Sequence, residues 1–183
     1  MAAGLDLLGT DGLTGTTVRG VCARAGLTER YFYESFADRD ALVLAVFDEV
    51  AAGGTAAIVA AVGSAPADPY GTAVAAFGAF VGYLTDDLRR GRVLLLEAHA
   101  SEPLQRRRLD ALRAFALLAV EHGRPRLGAD PPSETDALLT AIALVGGLAE
   151  LLICWLNGEL DVPRERLVNH CAALLVAAAG VRS

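Results

Sequence analysis

Residues 16–40, TTVRGVCARAGLTERYFYESFADRD, constrain the fold of this chain more than any other stretch. Val18, Val21, Cys22 and Ala25 recur at i, i+3, i+4 and i+7, which places them on one face of an α-helix. Thr16 or Thr17 suits its start, because a side-chain oxygen there accepts a hydrogen bond from a first-turn amide that lacks a helical partner. Gly26 suits its end, since glycine takes the positive φ of a helix C-terminus without a Cβ clash. Thr28 is expected to cap a second helix, with Glu29 complementing its positive end. On that helix Phe32 and Phe36 share one side. Arg30, Tyr31, Glu34 and Ser35 are left for another, with Tyr33 at its margin. A helix, a glycine turn and a second helix with a polar and aromatic outer face make a helix-turn-helix.

Around this motif the first fifty residues resemble the DNA-binding domain of the TetR family of bacterial transcriptional regulators. The resemblance rests on a short first helix ending at Asp11-Gly12, then Thr17-Val18-Arg19, Ala25-Gly26-Leu27, Tyr33-Glu34-Ser35-Phe36, and Arg39 ahead of Ala41-Leu42. The remainder matches only as an Ala- and Leu-rich helical region. The resemblance implies an all-α fold, with a helix-turn-helix domain over residues 1–48 and a larger helical domain for effector binding and dimerisation over 49–183. Composition agrees: the chain is 54% hydrophobic and has few β-branched runs, which favours helix over sheet.

Charge pulls the other way. The formal net charge is -6, and the first fifty residues hold Arg19, Arg24, Arg30 and Arg39 against eight acids. Phosphate neutralisation supplies most nonspecific DNA affinity, so a basic footprint is the usual signature. Asp6, Asp11, Asp48 and Glu49 are expected away from a DNA face, whereas Glu29 and Glu34 lie on the motif itself. The family usually carries a basic arm before its first helix, and this sequence begins almost inside that helix. The opening MAAGLDLLGTDG has no basic n-region and only a very short apolar run, which does not read as a signal peptide. Cys22, Cys154 and Cys171 have no metal-type spacing and suit a reducing compartment.

The rest of the chain reads as helices over about 2–10, 39–62, 70–85, 89–98, 103–121, 134–155 and 163–179. Asp38 and Ser133 are the expected caps for the fourth helix and for the long one from residue 134, and the fourth either runs through Gly53-Gly54 or kinks there. Residues 123–133 form the most evident loop. The run 137–156, ALLTAIALVGGLAELLICWL, is long enough to span a bilayer, but it lacks aromatic belts at both ends and a flanking Arg cluster. Helices apolar all round also sit inside soluble cores, so core or interface is the preferred reading and no membrane partner is expected.

The expected DNA-binding residues are Thr17, Arg19, Thr28, Arg30, Tyr31, Tyr33, Ser35 and Arg39. A helix fits the major groove, where Arg reads guanine, and hydroxyls position it on phosphates. Thr17 and Arg19 anchor the preceding helix by resemblance alone. For Glu29 and Glu34 plain solvation is preferred. A ligand pocket implied by the family would draw on Phe77, Phe80, Val81, Leu84, Glu97, His99, Leu112, Phe115 and Ala116, with Glu97 and His99 its polar groups. A subunit interface would draw on Leu144, Leu148, Leu151, Leu152, Trp155, Leu167, Cys171 and Leu174. The expected function is a cytoplasmic, ligand-responsive repressor acting as a homodimer on a double-stranded palindromic operator, released by a small apolar effector. The alternative is a degenerate regulator or protein-interaction module whose helix-turn-helix does not bind DNA. No enzyme, cofactor or metal is expected, because no Ser/His/Asp, Cys/His or metal-spaced cluster appears.

Overall fold

The computed structural model describes residues 1–126 and 131–180, and all regular structure among these is helical. Of the expected loop 123–133, residues 127–130 lie outside the described residues. The chain forms two compact units, Met1–Gly53 with Leu84–Leu109, and Gly54–Tyr83 with Asp110–Ser183.

The first unit contains the helix-turn-helix. Helix α1, Ala2–Gly15, is kinked at Gly12, whose φ of 72° and ψ of -176° only glycine adopts without strain. The sequence pattern ends this helix near residue 10, but one further turn follows the kink. Helix α2, Val18–Ala25, is capped by Thr17, whose Oγ1 accepts the Gly20 N–H at 3.0 Å, and it ends at Gly26 with φ 67°. Thr16 is fully buried, and its hydroxyl donates to the Gly12 carbonyl. Helix α3, Glu29–Ser35, starts after Thr28 as expected, but the Thr28 hydroxyl makes no capping bond. Its amides take backbone carbonyl partners instead, with Tyr31 and Phe32 both donating to the Thr28 carbonyl.

Helix α4, Arg39–Gly63, runs unbroken through Gly53-Gly54 and belongs to both units; Asp38 Oδ1 caps it at the Ala41 amide. Its residues Leu42, Val43, Val46, Phe47 and Val50 are buried with Leu7, Leu8, Val21, Cys22 and Phe32. Each large side chain of this core stabilises the fold by about 1.5–3 kcal/mol. The stretch read as a plain helix over 89–98 is not one. Helix α6, Leu88–Gly91, passes into a π-helical turn, Arg92–Leu96, and a 3₁₀ turn, Glu97–His99. The change of winding coincides with four buried residues, Val93, Leu94, Leu95 and Ala98, packed into one short segment.

The second unit holds most of α5 (Pro69–Thr85) and α7 (Glu102–Gly123), and all of α8 (Glu134–Leu156) and α9 (Arg164–Gly180). Asp68 caps the start of α5 at the Gly71 amide, and Ser133 caps α8 at the Asp136 amide. Phe80 and Phe115 meet edge to face with centroids 4.9 Å apart, a favoured aromatic geometry. Gly54 completes that contact, since a Cβ there would come within 3.0 Å of the Phe80 ring. Helices α8 and α9 pack together. Trp155 Nε1 donates to the Val162 carbonyl across the connection, where Gly158 takes a φ of 76°.

Candidate nucleic-acid interface

Helix α3 is held by Phe32, which is buried, with Phe36 and Tyr33 against its ring at centroid distances of 5.6 and 5.4 Å. That anchoring leaves the opposite face outward. Tyr31 and Tyr33 are each 56% exposed, the most exposed aromatic side chains among the described residues. Thr28, Arg30 and Ser35 are exposed beside them, and Thr17 and Arg19 are exposed at the start of α2. Seven of the eight expected DNA-binding residues are therefore at the surface, and Arg39 is half-buried. A groove of about 570 Å³ opens along this part of the unit and is lined by Met1, Asp6, Arg24, Leu27, Tyr31 and Ser35 among others.

The two arginines nearest the face are engaged by acids of their own segment. Arg30 Nε donates to Glu34 Oε1 at 3.3 Å, and Arg39 donates through Nε and Nη2 to Asp40 Oδ1 at 2.8 and 2.6 Å. Exposed pairs of this kind are worth about 0–1 kcal/mol, so a phosphate or base edge can displace them. The acid excess is also smaller than the sequence suggests. Asp6 pairs with Arg24 and Arg89, and Asp48 pairs with Arg107. Leu84–Leu109 adds six arginines against four acids, which moves the formal charge of the first unit from -4 to -2.

The expected ligand residues divide between the units. Phe77, Phe80, Val81, Leu112, Phe115 and Ala116 belong to the second, with Phe80, Val81 and Ala116 buried. Leu84, Glu97 and His99 belong to the first. Leu84 is fully buried and His99 is exposed. Glu97 has partners on both oxygens: Oε2 accepts the Leu13 N–H at 2.9 Å and Oε1 accepts Arg92 Nε at 3.4 Å. Of the expected interface residues, Leu148, Leu152, Leu167 and Cys171 are buried within the chain. Such side chains have no area left to lose to a second copy. Leu144, Leu151 and Trp155 are half-buried and Leu174 is exposed, as are Leu139 and Ile142 on α8. Burial pushes the Cys171 thiol pKa up, which keeps it protonated. Among the described residues no group of His, Cys, Asp and Glu is placed to hold a metal ion.

Sequence patterning marks neither Gly9 nor Arg89, and it reads Asp6 only as an acid away from a DNA face. Gly9 lets α6 lie against α1, since a Cβ there would sit 2.4 Å from Arg89 Cβ and 2.8 Å from its Cα. The spacing of Gly9 and Gly12 on α1 is a signal for such a close approach, though it does not name the partner.

Residues 1–46 match the model of bacterial regulatory proteins of the tetR family. The first 46 residues are a TetR-family domain. Solved structures extend the likeness in fold across the chain. The fatty acid degradation regulator FadR from Bacillus halodurans superposes with a TM-score of 0.81 at 19% identity, over 99% of this chain and 94% of its own. A proposed transcriptional regulator from Pseudomonas aeruginosa PAO1 gives 0.77 at 24%, covering 98% and 88%. FadR from Bacillus subtilis, in complex with stearoyl-CoA, gives 0.72 at 16%, covering 97% and 96%. Among curated proteins no sequence matches. The TetR-family helix-turn-helix is thus followed by a larger helical region of the same overall fold as these regulators.

Proposed function

We propose that this TetR-family regulator is a ligand-responsive repressor that binds a palindromic operator as a homodimer in the cytoplasm. The observation that carries the reading is the exposed Tyr31 and Tyr33 face of α3, set beside Arg30, Ser35 and the exposed start of α2. Helix α3 enters the major groove, Arg30 and Arg39 exchange their carboxylate partners for bases or phosphates, and the hydroxyls of Tyr33, Ser35, Thr17 and Thr28 fix register. Two copies place their recognition helices about 34–36 Å apart, one turn of DNA. The exposed apolar residues Leu139 and Ile142 of α8 and Leu174 of α9 supply the self-complementary surface for that pairing. Helices α4 and α8 are long and apolar enough to cross a membrane, but length and composition alone also describe buried or paired helices of this kind.

A small apolar effector in the second unit, near Phe77, Phe80, Leu112 and Phe115, favours a conformer whose recognition helices no longer match the operator. Coupling of this type is typically about 1–3 kcal/mol and is reciprocal, so DNA weakens the effector equally. The stearoyl-CoA in the Bacillus subtilis neighbour joins an apolar acyl chain to a charged headgroup, which supports an effector with an apolar portion. Tyr33→Ala and Arg39→Ala test the face. Each lowers DNA affinity while the oligomeric mass is unchanged, and wild-type affinity in both refutes the assignment.

A second reading has its own support. The Arg30–Glu34 and Arg39–Asp40 pairs leave the face with little net positive charge, which suits a module that docks protein instead of DNA. Binding that is insensitive to salt separates this reading from the first.

A further inference from the structure

The helix-turn-helix of this chain is held from outside itself. Leu84–Leu109 belongs to the same compact unit although it is far away in sequence, and it grips α1 at two points. At the first, Asp6 of α1 is shared between Arg24 of α2 and Arg89 of α6, the latter at 2.9 Å. Arg89 is itself fixed by Asp87, to which its Nε and Nη2 donate at 2.9 and 2.8 Å. At the second, Glu97 takes the Leu13 amide just past the Gly12 kink. The same kink passes the constraint on. The Gly12 carbonyl accepts both the amide and the hydroxyl of buried Thr16, and the next residue, Thr17, caps α2. Gly12 also makes room for the carboxylate, since a Cβ there would lie 3.0 Å from Glu97 Oε1.

We infer that Glu97, assisted by Arg89, is a positioning residue for DNA binding, setting the entry to α2 through the Leu13 amide and Gly12. The inference rests on the repressor reading. The gripping segment is continuous in sequence with α5 and α7, which carry the chain into the second unit. At 2.9 Å the Leu13 bond sits at the favoured N–H···O separation and weakens as it is stretched or bent, which ties it to the placement of the segment.

The test uses the full chain as Glu97→Ala, Glu97→Gln and Glu97→Asp. DNA affinity is read on duplexes tiling the region that flanks its own gene, and hydrogen exchange is read on the same proteins without DNA. Glu97→Ala removes the acceptor and weakens DNA binding about tenfold, the scale of one charge-assisted hydrogen bond. Glu97→Gln keeps an acceptor oxygen for Leu13 and stays within about threefold of wild type, a rescue that loss of general packing would not show. Faster exchange at Leu13, Thr16 and the α2 amides accompanies the alanine and aspartate variants but not the glutamine variant. Should Glu97→Ala not fold, Glu97→Asp withdraws the carboxylate by one methylene and is read in its place. Wild-type affinity with wild-type exchange in the alanine or aspartate variant overturns the inference, as does a glutamine variant as weak as alanine. If wild-type protein binds none of the duplexes, the repressor reading fails by itself. Exchange then decides the clamp: faster at Thr16 and α2 upholds it, unchanged rejects it.

Discussion

Arg30 Nε donates to Glu34 Oε1 at 3.3 Å across one turn of α3, so on the repressor reading this helix carries its own competitor for phosphate. The Arg30 side chain is 86% exposed, and the pair therefore holds it only weakly. Glu34→Gln releases the guanidinium and removes a repelling charge. Nonspecific DNA affinity then rises about threefold to tenfold, and the slope of log affinity against log salt steepens by about 0.9, one added phosphate contact. An unchanged slope would show that Arg30 does not reach DNA.

Gly9→Ala forces α1 and α6 apart. The new methyl would sit 2.8 Å from the Arg89 Cα, a backbone atom that no side-chain rotation can move. Overpacking costs about 1–3 kcal/mol, against at most about 1 kcal/mol gained from replacing glycine within a helix. Thermal unfolding should therefore drop by several degrees. A rise in Tm would mean that the two helices are not in this close approach.

The pH dependence of stability carries the signature of Asp87. The Arg89 side-chain hydrogen bond holds its carboxyl below the ordinary value of 3.8, against a smaller opposing effect of burial. A folded pKa below the unfolded one gives stability that is present above the unfolded value and lost as pH falls through the folded value. Asp87→Asn removes this titration. Denaturant unfolding should show wild type more stable than the variant at pH 7, with the gap closing below about pH 4. A gap independent of pH would exclude the Arg89 contact as its source.

Ile142→Glu tests the second-copy surface. Ile142 is 48% exposed, so the change should shift chain stability by no more than about 0.5 kcal/mol while placing a charge where two copies would meet. Light scattering should find the wild type as a dimer and the variant as a monomer at equal concentration. A dimeric variant would place the interface elsewhere.

Local chemistry made part of this molecule legible. The 3.6-residue spacing of Val18, Val21, Cys22 and Ala25, the stop at Gly26, and the caps at Thr17, Asp38 and Ser133 all depend on residues within a few positions of one another. Non-local pairings were not legible. Glu97 reads as a polar group for an apolar pocket until its contact with Leu13, 84 positions away, is seen. The π-helical turn at Arg92–Leu96 has no punctuating Gly or Pro within it to announce it. Helix α8 is apolar around most of its circumference, so periodicity does not distinguish Leu148 and Leu152, buried within the chain, from exposed Leu139 and Ile142.

The most direct measurement is fluorescence anisotropy of the full chain on duplexes flanking its own gene, at two salt concentrations. The repressor account predicts tight, sequence-selective binding that weakens steeply as salt rises. Binding no tighter than to random DNA at low salt would contradict it and leave the exposed α3 face to a protein partner.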